Sequence, residues 1–318
     1  MKPALRLYVV VVVKEANLKM RIIYCDSVFD NKIIDSDYEE EKKSALKAGF
    51  TFSLISFEEL INGNITLALK YVKPSETKID ALYRGWMLTP KQYVSLYDGL
   101  LKKNIQLINT PTQYIHCHYL PNSYDIIKSK TPKSNWTTDL SNDSIFKVLD
   151  DFGDSSIILK DFVKSEKHNW DDACFIPNAS EFEKVKSVVD KFIELRGSSL
   201  NEGLVFRQFE ELEFLTEHSK SGMPLTKEFR VFFANKQVVK VFDYWDEGDY
   251  GNTQPVLDDF MSIAENIESN FFTMDIAQKK DGSWIIMELG DGQVSGLPDN
   301  ANTDEYYKNL KEMTNETN

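Results

Sequence analysis

The sequence predicts an α/β domain followed by an α+β region, and three observations carry that prediction. Between residues 21 and 108, short apolar runs alternate with amphipathic stretches, as in a parallel sheet flanked by helices. From residue 156 onward β-prone runs predominate, with hairpin signals at Asn235-Lys236 and Asp281-Gly282. With 318 residues and 42% hydrophobic content, the chain can bury cores for about two domains.

At the start, Lys2 and Arg6 precede the apolar run 7–13, and Lys14-Glu15 follow without a small-residue cleavage site. The run is too short to span a bilayer. Residues 1–19 are therefore set apart as an extension; an added edge strand is the alternative, because consecutive valines favour extended chain. From Met20 onward the expected order is strand 21–25, helix 37–48 stopping at Gly49, strand 51–55, and a helix from Phe57 after Ser56. Strand 81–84, helix 91–102 and strand 105–108 complete the first domain, which closes near Tyr124. Strand 156–160, helix 181–195 and strand 203–209 come next. Strands 229–234, 238–245, 272–278 and 284–289 then surround a short helix at 262–270. The expected units are an extension (1–19), an α/β domain (20–124), two α+β lobes (125–204 and 205–300) and a C-terminal tail (301–318).

A net charge of −13 argues against a protein that wraps nucleic acid through its overall field, while leaving room for a local basic nucleotide pocket. Cys25, Cys117 and Cys174 are widely separated and form no CxxC, which suits a reducing cytosol. His116 and His118, read as neighbours on one face of a strand, have a chelating spacing without a third ligand nearby.

Chemistry concentrates in four places. Asp275 and Glu288 interrupt otherwise apolar runs on either side of a hairpin turn, so pairing would bring them together. Buried carboxylates need a cation or donors, and Mg²⁺ is held by such oxygens together with phosphate. Lys160 closes an apolar strand and Lys164-Ser165 begin a polar loop suited to phosphates, although no GxxxxGK[ST] occurs. Arg230 sits within an apolar strand and calls for an anionic partner, either a phosphate or the hairpin acids. Gln208, Phe209, Glu210 and Glu211 end a β-run in a polar stretch, offering backbone groups to an adenine edge and a carboxylate to a ribose.

The ordered blocks K-D-F-V-K-S, R-Q-F-E-E-L, E-F-R-V-F and M-D-I-A…D-G-S-W-I-I-M-E-L-G-D-G-Q-V-S-G-L-P resemble the ATP-grasp superfamily, in particular its clade named for one arginine and two lysines. The segments Y-R-G-W-M-L-T-P and L-I-N-T-P-T-Q-Y are similar to that clade's N-terminal domain, so the resemblance spans residues 20–300 in scattered blocks. It implies a pre-ATP-grasp α/β domain followed by a two-lobed ATP-grasp fold with ATP and Mg²⁺ as cofactors. By position, Lys160 and Lys164 would meet the phosphates, Lys128 would be the first-lobe lysine, and residues 208–211 the nucleotide hinge. Glu288 would be the metal glutamate and Asp275 a metal or supporting aspartate. Gly290 stands where many members carry a ligating Asn, and Asp291 is the candidate substitute.

The reaction that the resemblance implies makes an acyl phosphate from a small-molecule or peptide carboxylate, which an amine or thiol then displaces. Lys160 and Arg230 would supply positive charge to the transferred phosphoryl group. Arg84, with Trp86, is the candidate clamp for the substrate carboxylate. The rival expectation is a non-catalytic ATP-binding protein similar to those that assist assembly of a translation-initiation factor, with a protein partner. A kinase-like reading finds no H-R-D or D-F-G.

Overall fold

The computed structural model describes residues 20–220 and 222–315; the extension 1–19 lies outside the described residues. The first domain runs β1 (Arg21–Ser27), β2 (Asp30–Ile34), α1 (Glu39–Lys47), β3 (Thr51–Ile55), α2 (Phe57–Ile61), α3 (Ile65–Ala68), β4 (Ile79–Arg84), α4 (Pro90–Leu101), β5 (Ile105–Leu107), α5 (Pro111–His118) and α6 (Leu120–Ile127). β1 lies between β3 and β4 and parallel to both, β5 adds parallel to β4, and β2 turns back antiparallel on the end of β1. Ile22, Ile23, Tyr24 and Cys25 are all buried, as expected of a strand covered on both faces. Helices α4 and α5 begin alike: Thr89 and Thr110 each form a capping box with the Gln three residues on, and Pro90 and Pro111 occupy the first turn.

The next unit comprises β6 (Ser134–Thr137), α7 (Asn142–Leu149), β7 (Ile157–Asp161), α8 (Trp170–Ala173), β8 (Phe175–Ile176), α9 (Phe182–Arg196) and β9 (Leu204–Gln208). Its antiparallel sheet has the order β6-β9-β7-β8. Val185, Val188, Val189 and Phe192 recur at helical spacing along α9 and pack on Leu159 and Phe206 of the sheet.

The last unit holds β10 (Phe214–Glu217), β11 (Pro224–Thr226), β12 (Glu228–Ala234), β13 (Gln237–Asp243), α10 (Asp258–Ala264), β14 (Phe271–Gln278), β15 (Trp284–Asp291) and α11 (Thr303–Asn315). Its main sheet is antiparallel in the order β13-β12-β14-β15. The β12–β13 turn has Asn235 and Lys236 both at positive φ, the geometry that matches strand twist in a two-residue hairpin. One face, with Phe229, Val231, Phe233, Phe272, Met274 and Ile276, is apolar and meets α10. The other face divides: Phe232, Ala234 and Phe271 pack under Tyr306, Tyr307 and Leu310 of α11, and the remainder is polar.

Three expectations need correction. Residues 301–318 are more than a tail, because α11 inserts Tyr306, Tyr307 and Leu310 into a core shared with Ile22 and Tyr24 of β1. His116 and His118 lie on α5 and not on a strand; two residues apart on a helix, they point about 200° from one another and share no ligand face. Among the described residues no group of three or more His, Cys, Asp or Glu side chains is disposed to hold a metal. The short helix expected at 262–270 forms earlier, as α10.

Candidate functional site

Strand alternation aligns the polar half of the last sheet. Glu228 and Arg230 of β12, Asp275 of β14 and Glu288 of β15 share one face, since Arg230 stands opposite Asp275 and Asp275 opposite Glu288. Arg230 binds Asp275 in a fork, Nε donating to Oδ1 at 2.8 Å and Nη2 to Oδ2 at 2.7 Å, while Nη1 donates to Gly296 O at 3.0 Å. Tyr244 lies beneath the guanidinium, whose carbon is 4.8 Å from the ring centre.

The first-lobe sheet supplies the cations. Lys160 at the end of β7 donates from Nζ to Glu288 Oε1 at 3.0 Å, linking the two lobes. The lysine side chain is 9% exposed whereas that of Glu288 is 43% exposed, so the carboxylate opens to solvent. Burial alone would raise the Glu288 pKa, but Lys160, and then Lys164 and Lys167, outweigh it and hold the carboxyl at about 2, against an ordinary 4.5. The loop that presents those lysines is organised by Asp161, which is fully buried. Its Oδ1 accepts from the amides of Val163 at 2.7 Å and Lys164 at 2.5 Å, and its Oδ2 from Arg196 Nε at 3.1 Å and Asn201 Nδ2 at 3.0 Å. The sequence reading passed over Asp161 because an Asp after a strand is an ordinary turn residue; its signal was its place directly after Lys160.

The expected nucleotide hinge lies at the same junction. The Phe209 ring meets Phe175 at 5.2 Å and Trp170 at 6.1 Å, and Trp170 stacks on Phe175, which makes an aromatic wall beside β7 and β9. Gln208 and Phe209 donate their amides to Lys133 O and Ser156 O. Glu210 pairs with Lys279 at 2.9 Å and Glu211 with Lys280 at 3.2 Å, strapping the hinge to the β14–β15 turn.

Other candidates lie elsewhere. Lys128 pairs with Asp125 at 3.0 Å on an exposed surface. Arg84 is 1% exposed and each of its guanidinium nitrogens is engaged: Nε and Nη2 hold both oxygens of Glu41 at 2.9 and 2.8 Å, and Nη1 reaches Gly292 O and Ser295 O at 2.6 and 2.8 Å. It rivets the first domain to the loop after β15. Trp86 donates from Nε1 to Asp35 Oδ2 at 2.9 Å and is half-exposed beside Tyr38.

Asp291 is fully buried on the sheet face opposite Asp275 and Glu288. Its carboxylate accepts from Asn109 Nδ2 at 2.6 Å and from the Gln293 amide at 3.0 Å, and burial pushes its pKa up to about 7. It therefore joins domains and does not face the cleft. Gly290 does lie on the site face, but a Cβ there would meet Thr273 Oγ1 at 2.6 Å and Ser295 Oγ at 2.8 Å. The Thr273–Ser295 hydroxyl pair, 2.8 Å apart, fills the space that an Asn side chain would need.

A family model described as ATP-grasp domain, R2K clade family 3, matches residues 150–310, half of the chain and the part that carries this site. The chain belongs to that ATP-grasp family. Solved ATP-grasp structures also share its fold over nearly the full length. The RimK domain ATP-grasp protein of Sphaerobacter thermophilus aligns at 12% identity over 92% of this chain and 98% of that one, with a TM-score of 0.57. The D-cycloserine synthetase DcsG gives 11% identity, 92% and 98% coverage and 0.57. The ATP-grasp ligase PsnB, crystallised with a minimal precursor, Mg and ADP, gives 11%, 93% and 98%, and 0.53. No curated protein sequence matches the chain. In the ATP-grasp fold thus shown, Lys160 of the β6-β9-β7-β8 sheet meets Glu288 of the β13-β12-β14-β15 sheet. Among the described residues no helix is long and apolar enough to cross a membrane.

Proposed function

We propose that this ATP-grasp protein is a ligase that uses Mg-ATP to activate a carboxylate for attack by an amine or thiol. The observation that carries the reading is the Lys160–Glu288 contact at 3.0 Å, with Lys164 and Lys167 adding to the positive field on the half-open carboxylate, in a chain of net charge −13. A local cationic cluster around one ionised carboxylate suits a metal–polyphosphate better than either charge alone. The ligase neighbours support the reading at the level of fold.

The donor set fits Mg²⁺. Glu288 is ionised and accessible, and Asp275 stands opposite it with each oxygen engaged once by Arg230. Glu288 would hold the ion with Asp275 in support; Asp291, facing away, takes no part. Bound there, Mg²⁺ would offset charge on the phosphates. Lys160 would then transfer from Glu288 to a phosphate oxygen, Lys164 would cover the phosphates from the loop that Asp161 shapes, and Arg230 would face the transferred phosphoryl group. A substrate carboxylate oxygen attacks the γ-phosphorus and ADP leaves. The acceptor nitrogen or sulfur then attacks the acyl carbon, phosphate leaves, and the acceptor proton goes to solvent. The aromatic wall of Trp170, Phe175 and Phe209 beside residues 208–211 is the proposed adenine seat.

A second reading, ATP binding in support of protein assembly without turnover, draws on Gly290, where the space for a further ligand is closed. Calorimetric titration of ATP with Mg²⁺ and then with EDTA tests the shared premise. Phosphate release that requires both a carboxylate and an acceptor supports the ligase. Tight Mg-dependent binding with no release across carboxylate and amine panels would replace it with the assembly reading, and absence of binding would sink both.

A further inference from the structure

Glu288 reaches the site face only because β15 carries an extra residue. Ile286 stands opposite Ile276 and Glu288 opposite Asp275, so Met287 is the additional residue of a β-bulge. In an unbroken ladder Met287 would stand opposite Asp275 and Glu288 would turn to the other face, because a one-residue slip inverts every side chain.

One side chain takes the carbonyls around that bulge. Arg207 of β9 donates from Nη1 to Met287 O, and from Nη2 to Ile286 O at 3.0 Å and Thr131 Oγ1 at 2.7 Å. Thr131 Oγ1 in turn donates to Ile286 O at 2.7 Å, and the Ile286 amide donates to Lys130 O at 2.7 Å. Arg207 is 6% exposed, its Nε has no partner, and among the described residues no carboxylate forms an ion pair with it. A buried guanidinium with no carboxylate in contact, its charge offset only at a distance by Glu288, Glu210 and Glu228, is an expensive way to fill this junction. What it adds over an apolar residue is a rigid fork of donors aimed at two successive carbonyls.

We propose that Arg207 is a positioning residue that grips the bulge at Met287 and thereby sets Glu288 opposite Asp275. The inference rests on the reading of Glu288 as a magnesium ligand, so its test has one arm with the metal and one without.

In the first arm, ADP is titrated calorimetrically into wild type, Arg207→Met and Arg207→Lys, with Mg²⁺ and with EDTA. Arg207→Met is expected to lose about 10-fold or more of the Mg-dependent gain in affinity, to keep the metal-free affinity, and to be partly rescued in Arg207→Lys. In the second arm, amide hydrogen exchange of the ligand-free proteins is followed over residues 284–291. Exchange there should quicken in Arg207→Met relative to β12 and β13, and less so in Arg207→Lys. A full Mg-dependent gain in Arg207→Met would overturn the proposal, as would an equal loss with and without Mg²⁺ or unchanged exchange over 284–291. If wild type itself shows no Mg-dependent gain, the metal reading fails, and the exchange arm alone decides whether Arg207 holds the bulge.

Discussion

Lys160 and Glu288, 128 residues apart in sequence, meet at 3.0 Å across the two lobes, a buried cation against a half-open anion. Each neutralises the other, and under the proposed function each would be released for a new partner when Mg-ATP enters. Glu288→Gln should therefore reduce Mg-ATP turnover by about 10²–10³-fold, the usual effect of removing one preorganised charged group, with little change in metal-free nucleotide affinity. Steady-state phosphate release beside calorimetry in EDTA checks this, and wild-type turnover in the variant would remove Glu288 from the site.

Lys160→Ala removes the buried cation that contacts Glu288. A weakening of ATP binding by about 1.5–3 kcal/mol is expected for the loss of one charge-assisted hydrogen bond, measurable in the same titrations. An unchanged Kd would mean that the phosphates lie elsewhere.

The pH dependence of stability should carry the mark of Glu288. Its carboxyl is held at about 2 when folded, below an ordinary 4.5, so its contribution is complete above that ordinary value and is lost as pH falls toward 2. Urea unfolding of wild type and Glu288→Gln should show a stability gap that narrows as pH falls from 5 to 2. A gap independent of pH would contradict the sign.

Arg84 and Glu41 form a buried bidentate pair, which Tyr307 joins by donating to Glu41 Oε2 at 2.5 Å. Replacing either partner alone, as in Glu41→Gln or Arg84→Met, should cost about 3–5 kcal/mol because it strands a buried charge or its donors. The double variant should recover part of that loss in urea titrations, while single-variant losses below 1 kcal/mol would show that the pair is dispensable.

Gly290→Asn should destabilise by about 1–3 kcal/mol through overpacking against Thr273 and Ser295. Adding Thr273→Ala and Ser295→Ala should relieve most of it. If the single variant is as stable as wild type in thermal unfolding, the space is more open than the hydroxyl pair implies.

The alternating sheet, the hairpin and its acids were legible because each obeys a local rule. Asp275 and Glu288 break apolar strands on both sides of a turn, and Arg230 asks for an anion that strand register then supplies. Helix α5 was missed: Thr110, Pro111 and Gln113 carry a cap signature, but the His116 and His118 spacing suggested a strand instead. Arg84 was not legible as a rivet because its partner Glu41 lies 43 residues earlier and only the fold brings them together. Asp291 was misplaced for a different reason. Which face a strand residue takes depends on its position in the register, and sequence alone reveals neither the bulge at Met287 nor Asn109 waiting behind the sheet.

Helix α11 has a consequence for biosynthesis. Ile22 and Tyr24 of β1 share a core with Phe232, Phe271, Tyr306, Tyr307 and Leu310, so during synthesis β1 waits for the much later α11 before its outer face is covered. The first sheet therefore depends on α11 to complete its core during translation. A chain stopped before Thr303 would leave those aromatic surfaces to water or to chaperones.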